Sequence, residues 1–194
     1  MNKRFMFTVA GAVAVVLAAG VALGGVPCAG TSDVVATPDC GGYCPEGDLD
    51  IVMVKVTDLD CYGTPLPDKV VTIKPIIPVA SYYCFCPEDT AKVCTTNVAA
   101  ECSVYFQYFG GCGDKVDCEL QFSAISDDVE IGPSNAIVTA SPDSDGDCDV
   151  DLLDFIYFAT QYLSDACCAN YDCVGGVALL DFITFATHYL HSCP

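Results

Sequence analysis

The chain is predicted to be mainly β with a small α module: a β-sandwich followed by a pair of short helices. Three observations carry this reading. Residues 48 to 140 hold seven or so short alternating apolar segments, roughly ten residues apart, which is the pattern of a two-sheet sandwich. Residues 141 to 194 contain a repeat at an offset of 27: DLLDFIYFATQYL (151–163) and ALLDFITFATHYL (178–190) agree at ten of thirteen positions. Just ahead of the first copy lies DSDGDCDVDLLD (143–154), with six aspartates in twelve positions.

In chain order, residues 1 to 30 read as a secretory signal peptide. Lys3 and Arg4 form a positive start, Phe5 to Leu23 an apolar run, and small residues follow. Gly24 and Gly30 are the candidate cleavage points. An uncleaved membrane anchor is the alternative, because the apolar run approaches the length of a span. Lipoprotein and pilin readings are weaker: Pro27 precedes Cys28, and no glutamate follows the cleavage points. Residues 31 to 47 form an N-terminal arm in which DVVAT (33–37) is an isolated strand candidate among Pro38, Gly41, Gly42 and Pro45. It is either a first strand tethered by Cys40 and Cys44 or a detachable strand able to pair with another molecule.

Residues 48 to 140 are the sandwich. LDIVMVKVTD sets Val52, Val54 and Val56 against Ile51, Met53 and Lys55. KVVTIKPIIPVASYYCFC is one strand or two, with Pro75 and Pro78 marking an edge or a bend. ECSVYFQYFG sets Val104, Phe106 and Tyr108 against Tyr105, Gln107 and Phe109; KVDCELQFSAI has Val116, Cys118, Leu120 and Phe122 inward. DVEIG and NAIVTAS complete the set.

Pro142 closes the β region, and the aspartate run begins. Its spacing is that of an EF-hand type calcium loop, which takes oxygens from positions 1, 3, 5, 7, 9 and 12. Those positions are Asp143, Asp145, Asp147, the carbonyl of Asp149, Asp151 (often through a water) and Asp154. An acidic run is otherwise a solvated linker; the helical pattern that follows it at once, and then its repeat, favours the Ca2+ loop. In each copy the apolar residues recur at helical spacing: Leu153, Ile156, Phe158, Ala159 and Leu163, then Leu180, Ile183, Phe185, Ala186 and Leu190. Each helix supplies the other with a partner for that face.

Two resemblances attach to these residues. VKVTDLDCYGTPLPDKVVTI and VYFQYFGGCGDKVDCELQFSA resemble strands and turns of bacterial Ig-like domains of the invasin and intimin kind. The chain departs from them in its cysteine density and in having TTNVAAE at the central hairpin. The C-terminal repeat resembles the type I dockerin domain, a duplicated loop-helix with aspartate at loop position 12. That resemblance makes Val150 the buried eighth residue of the first loop and puts Cys148 where glycine is usual, with a disulfide as its anchor. The second loop, NYDCVGGVALLD, keeps Asn170, Asp172 and Asp181 at positions 1, 3 and 12, and Gly175 and Val177 at 6 and 8. Val174 and Ala178 replace oxygen ligands, so it is expected to bind calcium weakly or not at all, with Cys167, Cys168, Cys173 and Cys193 holding its shape.

Composition bounds the function. Fifteen cysteines in a secreted chain predict a disulfide framework; a cut after Gly30 would remove Cys28 and leave fourteen. A metal-thiolate protein is disfavoured, because the CxC pair Cys84 and Cys86 has no second knuckle. A net charge of −19 with seven Lys plus Arg argues against nucleic acid and for cations. The absence of tryptophan weakens a carbohydrate-binding reading, and Tyr82, Tyr83, Tyr105 and Tyr108 read as core and rim rather than a sugar platform. The two histidines, His188 and His191, are a metal pair or, more simply, an exposed helix end. No Ser-His-Asp set, Cys-His nucleophile, carboxylate pair in an apolar cleft or phosphate loop stands out. The expectation is therefore a secreted or cell-surface, non-catalytic structural protein with no membrane contact in its mature form. It would polymerise head to tail by donating Asp33 to Thr37 to the open sheet edge of another copy. The dockerin resemblance implies the alternative, anchoring to a cohesin-like scaffold through Thr160, Gln161, Thr187 and His188.

Overall fold

The computed structural model describes residues 25–78, 82–112 and 118–194; the signal segment through residue 24, and Val116, lie outside the described residues. Among them the chain forms eleven strands and two α-helices: β1 (Asp33–Thr37), β2 (Cys40–Gly42), β3 (Val52–Thr57), β4 (Val70–Ile76), β5 (Tyr82–Phe85), β6 (Lys92–Thr95), β7 (Glu101–Phe106), β8 (Phe109–Cys112), β9 (Glu119–Ser126), β10 (Val129–Ile131), β11 (Ile137–Ala140), α1 (Leu152–Gln161) and α2 (Leu179–His188). The fold is thus mainly β and sandwich-like, with two short helices. One sheet has the order β1-β3-β7 and the other β2-β11-β9-β4-β6, with β10 pairing β9; β5 and β8 form a separate ribbon. Antiparallel pairing dominates, and β2 runs parallel to β11.

The alternation explains which sheet faces meet. Val52, Val54 and Val56 are wholly buried, and Val34, Ala36, Val104 and Phe106 join them from the same sheet. Val71, Ile73, Leu120, Phe122, Ala124 and Ile137 line the opposing sheet, so both inner faces close over one core. The predicted single run from 101 to 110 instead breaks at Gln107. The buried Asp89 carboxylate accepts the backbone N–H groups of Gln107 (2.5 Å) and Tyr108 (2.6 Å) and pairs with Lys92 (2.6 Å). Beyond the break the inward phase shifts: Phe109, not Tyr108, is fully buried, stacked on Tyr43 at 4.5 Å and on Phe85 at 5.2 Å.

Other expectations are refined in the same way. The 69–86 segment gives two strands in different sheets. Pro75 lies within β4 opposite Phe122, beyond the Val70–Ile73 stretch that β6 pairs, so its missing N–H costs no bond to β6. β6 and β7 belong to opposite sheets, joined by the Cys94–Cys102 disulfide, so TTNVAAE is a sheet-to-sheet crossing and not a hairpin.

The arm is part of its own sheet. β1 pairs β3 from Asp33↔Thr57 to Thr37↔Met53, and the Asn135 amide clamps Ala36 by accepting from its N–H (2.9 Å) and donating to its carbonyl (3.0 Å). Disulfides flank the strand, Cys28–Cys61 before it and Cys40–Cys173 after it. The expected tether at Cys40 is present; the second is Cys28, not Cys44. The Cys28 N–H also donates to the Leu59 carbonyl (2.9 Å), so the folded unit includes residues that the 1–30 boundary assigned to the signal. The unpaired cysteine is Cys44, which is buried.

The C-terminal segment is fused to the sandwich. Five disulfides cross between them: Cys40–Cys173, Cys84–Cys148, Cys86–Cys193, Cys112–Cys168 and Cys118–Cys167. The cysteines expected to shape the second loop thus bind to the β region and not to one another. A second core cluster spans the seam, with Cys44 and Ala140 packed against Val150, Phe158, Tyr171, Val177 and Phe185. Among the described residues no helix is long and apolar enough to cross a membrane.

Candidate functional site

The two halves of residues 143–191 are built alike, as their repeated sequence requires. Residues 27 apart share the left-handed conformation: Gly146 (φ 71°) with Cys173 (φ 56°), Cys148 (φ 75°) with Gly175 (φ 70°), and Leu163 (φ 65°) with Leu190 (φ 73°). Each loop's eighth residue pairs with the far end of the other helix. Val150 N–H donates to the His191 carbonyl (2.8 Å) and accepts from Leu190 N–H (2.8 Å); Val177 N–H donates to Ser164 (2.8 Å) and accepts from Leu163 N–H (2.9 Å). Phe158 and Phe185, also 27 apart, stack at 5.3 Å in the shared core. The result is a pseudo-twofold clasp.

At the start of α1, the Asp151 carboxylate accepts from Leu153 N–H (2.7 Å) and Asp154 accepts from Asp151 N–H (2.8 Å), a complete capping box. α2 keeps half of it, Asp181 accepting from Ala178 N–H (2.8 Å). Asp154 also reaches back to Ser144 N–H (2.6 Å), as Asp181 does to Tyr171 N–H (2.7 Å).

In the first loop, carboxylate oxygens of Asp143, Asp145 and Asp154 lie within 4.8 Å of one another. Asp143 and Asp154 are fully buried. Asp143 accepts from the N–H groups of Gly146 (2.8 Å), Asp147 (3.2 Å) and Cys148 (3.1 Å), which curls the loop around it. Burial, and next the charge of Asp154, push the Asp143 carboxyl up to about 8. Burial above all pushes Asp154 up to about 6. Among the described residues no lysine pairs with either: Lys55, Lys69 and Lys92 are engaged with Glu101, Asp127 and Asp89. Buried like charges without a countercharge favour a hard cation among them.

Of the six predicted positions the structure therefore gathers three. Asp151 caps α1, while Asp147 and Asp149 are exposed, with Asp147 accepting from Asp149 N–H (3.0 Å). Cys148 stands at the glycine-favouring sixth position with φ 75° and is bonded to Cys84, the anchor expected of it. The second loop gathers less. Asp172 is exposed and accepts from Val174 N–H (2.9 Å). Asn170 donates to the Gly175 carbonyl (2.9 Å), and its buried Oδ1 has no hydrogen-bond partner. Asp181 is the one buried carboxylate of this loop.

The outer face of the helix pair is apolar and exposed. Leu152 (58% exposed) and Leu179 (60%) stand on it, and of the residues expected to face the other helix only Phe158 and Phe185 are buried, while Leu153, Leu163, Leu180 and Leu190 are exposed. A groove lined by Phe155, Phe158, Ala159, Tyr162, Leu179 and Phe182 runs between the helices. A second groove, lined by the residues at the pseudo-equivalent positions, lies beside it. Thr160 and Thr187 are exposed at this module's surface, but His188 is buried and cannot belong to a contact surface there.

His188 leads to a grouping the sequence reading missed. Ligand atoms of Cys44, Asp48, His188 and His191 lie within 4.8 Å of one another. The histidines are not an exposed helix end, because the 44–48 turn packs onto them: Asp48 Oδ1 is 3.0 Å from His188 Nδ1, and Glu46 Oε2 is 3.1 Å from His191 Nδ1. Burial pushes the Cys44 thiol up to about 12, so it is no activated nucleophile. Burial also lowers His188 from its ordinary value. The available signal was an odd cysteine count in a chain with only two histidines, three residues apart.

No protein-family model matches the chain, and no curated protein matches it. Among solved structures it is similar to the D00-D0 domain of intimin, at 14% identity and a TM-score of 0.36 over 57% of this chain. The match spans 48% of that structure, so the chain accounts for about half its length.

Proposed function

We propose that the chain is a secreted, non-catalytic building block of an extracellular or cell-surface assembly, which docks onto a protein partner through the outer face of α1 and α2. One observation carries this reading: the two helices form two adjoining apolar grooves that share Phe155 and Phe182, with large apolar side chains left exposed, a surface that is costly in water and characteristic of interaction sites. The reciprocal clasp and the position-12 aspartates support a dockerin-like module, and a cohesin-like scaffold domain is the matching class of partner. The sandwich supports an Ig-like spacer or display domain.

Calcium is the organiser of this module. Asp143, Asp145 and Asp154 would hold it, with Asp147, Asp151 and the Asp149 carbonyl completing the shell. It would supply positive charge to a buried acidic loop, and so act as a structural staple. The second loop, with one buried carboxylate and one unsatisfied amide oxygen, is the weaker site.

Head-to-tail strand donation is the less favoured route to assembly. β1 already completes its own sheet and is held at both ends by disulfides, so leaving would break an existing ladder and strain two crosslinks. Binding to a cohesin-like domain with and without a chelator tests the docking reading. Leu152→Asp with Leu179→Asp, one in each groove and both exposed, should abolish calcium-dependent capture while leaving the fold intact. Undiminished capture by that double variant sinks it, as does a polymer, seen in negative stain, that vanishes only on deletion of residues 31–38.

A further inference from the structure

We infer that Cys44, Asp48, His188 and His191 form a second metal site, chemically distinct from the aspartate loop and suited to a borderline-soft divalent ion such as Zn2+. The four ligand atoms lie within 4.8 Å of one another. His188 Nδ1 lies 3.2 Å from His191 Nδ1, and Cys44 Sγ lies 3.7 Å from His191 Nδ1. Asp48 spans the pair, with Oδ1 3.0 Å from His188 Nδ1 and Oδ2 3.4 Å from His191 Nδ1. Around a tetrahedral zinc, with bonds of about 2.0 Å to N or O and about 2.3 Å to S, neighbouring ligand atoms stand about 3.3 to 3.5 Å apart. The observed edges fall around those values.

Hydrogen bonding alone does not account for the arrangement. A neutral imidazole carries one proton, on one of its two nitrogens. His191 Nδ1 nevertheless faces a carboxylate oxygen of Glu46 at 3.1 Å, one of Asp48, the Cys44 sulfur and the other histidine's Nδ1 at once. Two imidazole nitrogens directed at each other and at the same carboxylate can share protons with only some of these neighbours. A cation at the centre uses one lone pair from each of Cys44, Asp48, His188 and His191 at once.

The choice of residues points the same way. Fourteen of the fifteen cysteines are in disulfides, and Cys44 alone keeps its thiol. Thiolate plus imidazole is a donor set that selects zinc over calcium. The scaffold is fixed on both sides. The 44–48 turn is closed by Gly47 N–H donating to the Cys44 carbonyl (2.8 Å), with Gly47 at φ 80° against Tyr108. The histidines are held by the bond from Val150 N–H to the His191 carbonyl and by the Cys86–Cys193 disulfide two residues on. The ion would therefore crosslink the sandwich to the end of α2.

The test uses the full, disulfide-intact secreted chain, dialysed against a chelator and titrated with Co2+ and then with Zn2+. One equivalent of Co2+ should give a near-ultraviolet thiolate-to-metal band and tetrahedral visible bands, and one equivalent of Zn2+ should erase them; excess Ca2+ should leave them unchanged. His191→Gln and Asp48→Asn, both outside the deep core, should each weaken binding by about tenfold or more, and Cys44→Ser should remove the near-ultraviolet band. Asp143→Asn should leave all of these signals in place, which separates this site from the calcium reading. Absence of a thiolate band in the folded wild type overturns the inference, as does stoichiometric binding unchanged by His191→Gln and Asp48→Asn.

Discussion

The aspartate loop makes a quantitative prediction about the calcium-free protein: its stability falls as pH rises from about 4 to about 8. Asp143 and Asp154 start from an ordinary 3.8 and are raised in the folded chain to about 8 and about 6. A carboxyl whose folded pKa is raised binds more protons folded than unfolded, so its favourable contribution is complete below the unfolded pKa and is lost as pH climbs through the folded one. At roughly 1.4 kcal/mol per unit, Asp143 alone accounts for a loss on the order of 6 kcal/mol, and Asp154 for about 3. The two repel each other, so the figures overlap rather than add. Even the smaller is a large share of a typical stability of about 5–15 kcal/mol. Calcium should abolish the loss at pH 8, and its binding between pH 6 and 8 should release protons. Denaturant melts at pH 5 and pH 8, each in chelator and in millimolar Ca2+, measure this directly, and hydrogen exchange at the Val150 and Val177 amides localises it. Asp143→Asn should flatten the chelator profile and remove the calcium response. A chelated wild type equally stable at both pH values would refute the argument, because the buried carboxylates would then have some other countercharge.

Three further outcomes follow from the packing. Phe185→Ala removes half of the fully buried stack with Phe158 and should cost about 3–5 kcal/mol by denaturant melting. Leu152→Asp with Leu179→Asp alters only exposed positions and should shift stability by no more than about 0.5 kcal/mol per site, seen as a nearly unchanged melting midpoint. Cys40→Ser with Cys173→Ser opens the longest crosslink, of sequence separation 133, and should cost about 2–5 kcal/mol. Exchange should then rise in β1 and β2 before it rises in β9.

What the sequence made legible was local. Period-two alternation put Val52, Val54 and Val56 together on one face, which the structure buries, and the 27-residue repeat located both helices and both loops. The break at Gln107 was not legible, because it depends on Asp89, a buried carboxylate 18 residues earlier that takes two backbone amides. The division of β6 and β7 between sheets was hidden for a similar reason: a short polar connection between two apolar runs reads as a hairpin unless the partner strands are known. The disulfides lie further still from any local rule. Cys84 and Cys86 are two apart in sequence yet bond to Cys148 and Cys193, at opposite ends of the C-terminal module. The Cys44 cluster joins residues 147 apart, so only chain-wide packing brings it together.

The same long-range packing bears on how the module can work. An anchoring module on a flexible linker leaves its cargo free to swing, whereas here the loop-helix pair is seated in the sandwich. Gly110 of β8 packs directly on the Asp143 side chain, and Gly146 on the Tyr82 backbone of β5, so a side chain at either glycine would collide. The aspartate loop thus lies in the seam and not at the tip of the molecule. Five disulfides cross that seam, and Phe158, Phe185 and Tyr171 fill it from the helical side with Ala140 and Cys44 opposite. The inner face of the helix pair is fully used by this contact, which leaves the outer face as the one through which α1 and α2 can meet another protein. A partner bound there would hold the sandwich in one fixed orientation. A cation in the loop would act on that orientation as well as on affinity, by keeping the strand ribbon, the loop and the start of α1 in register.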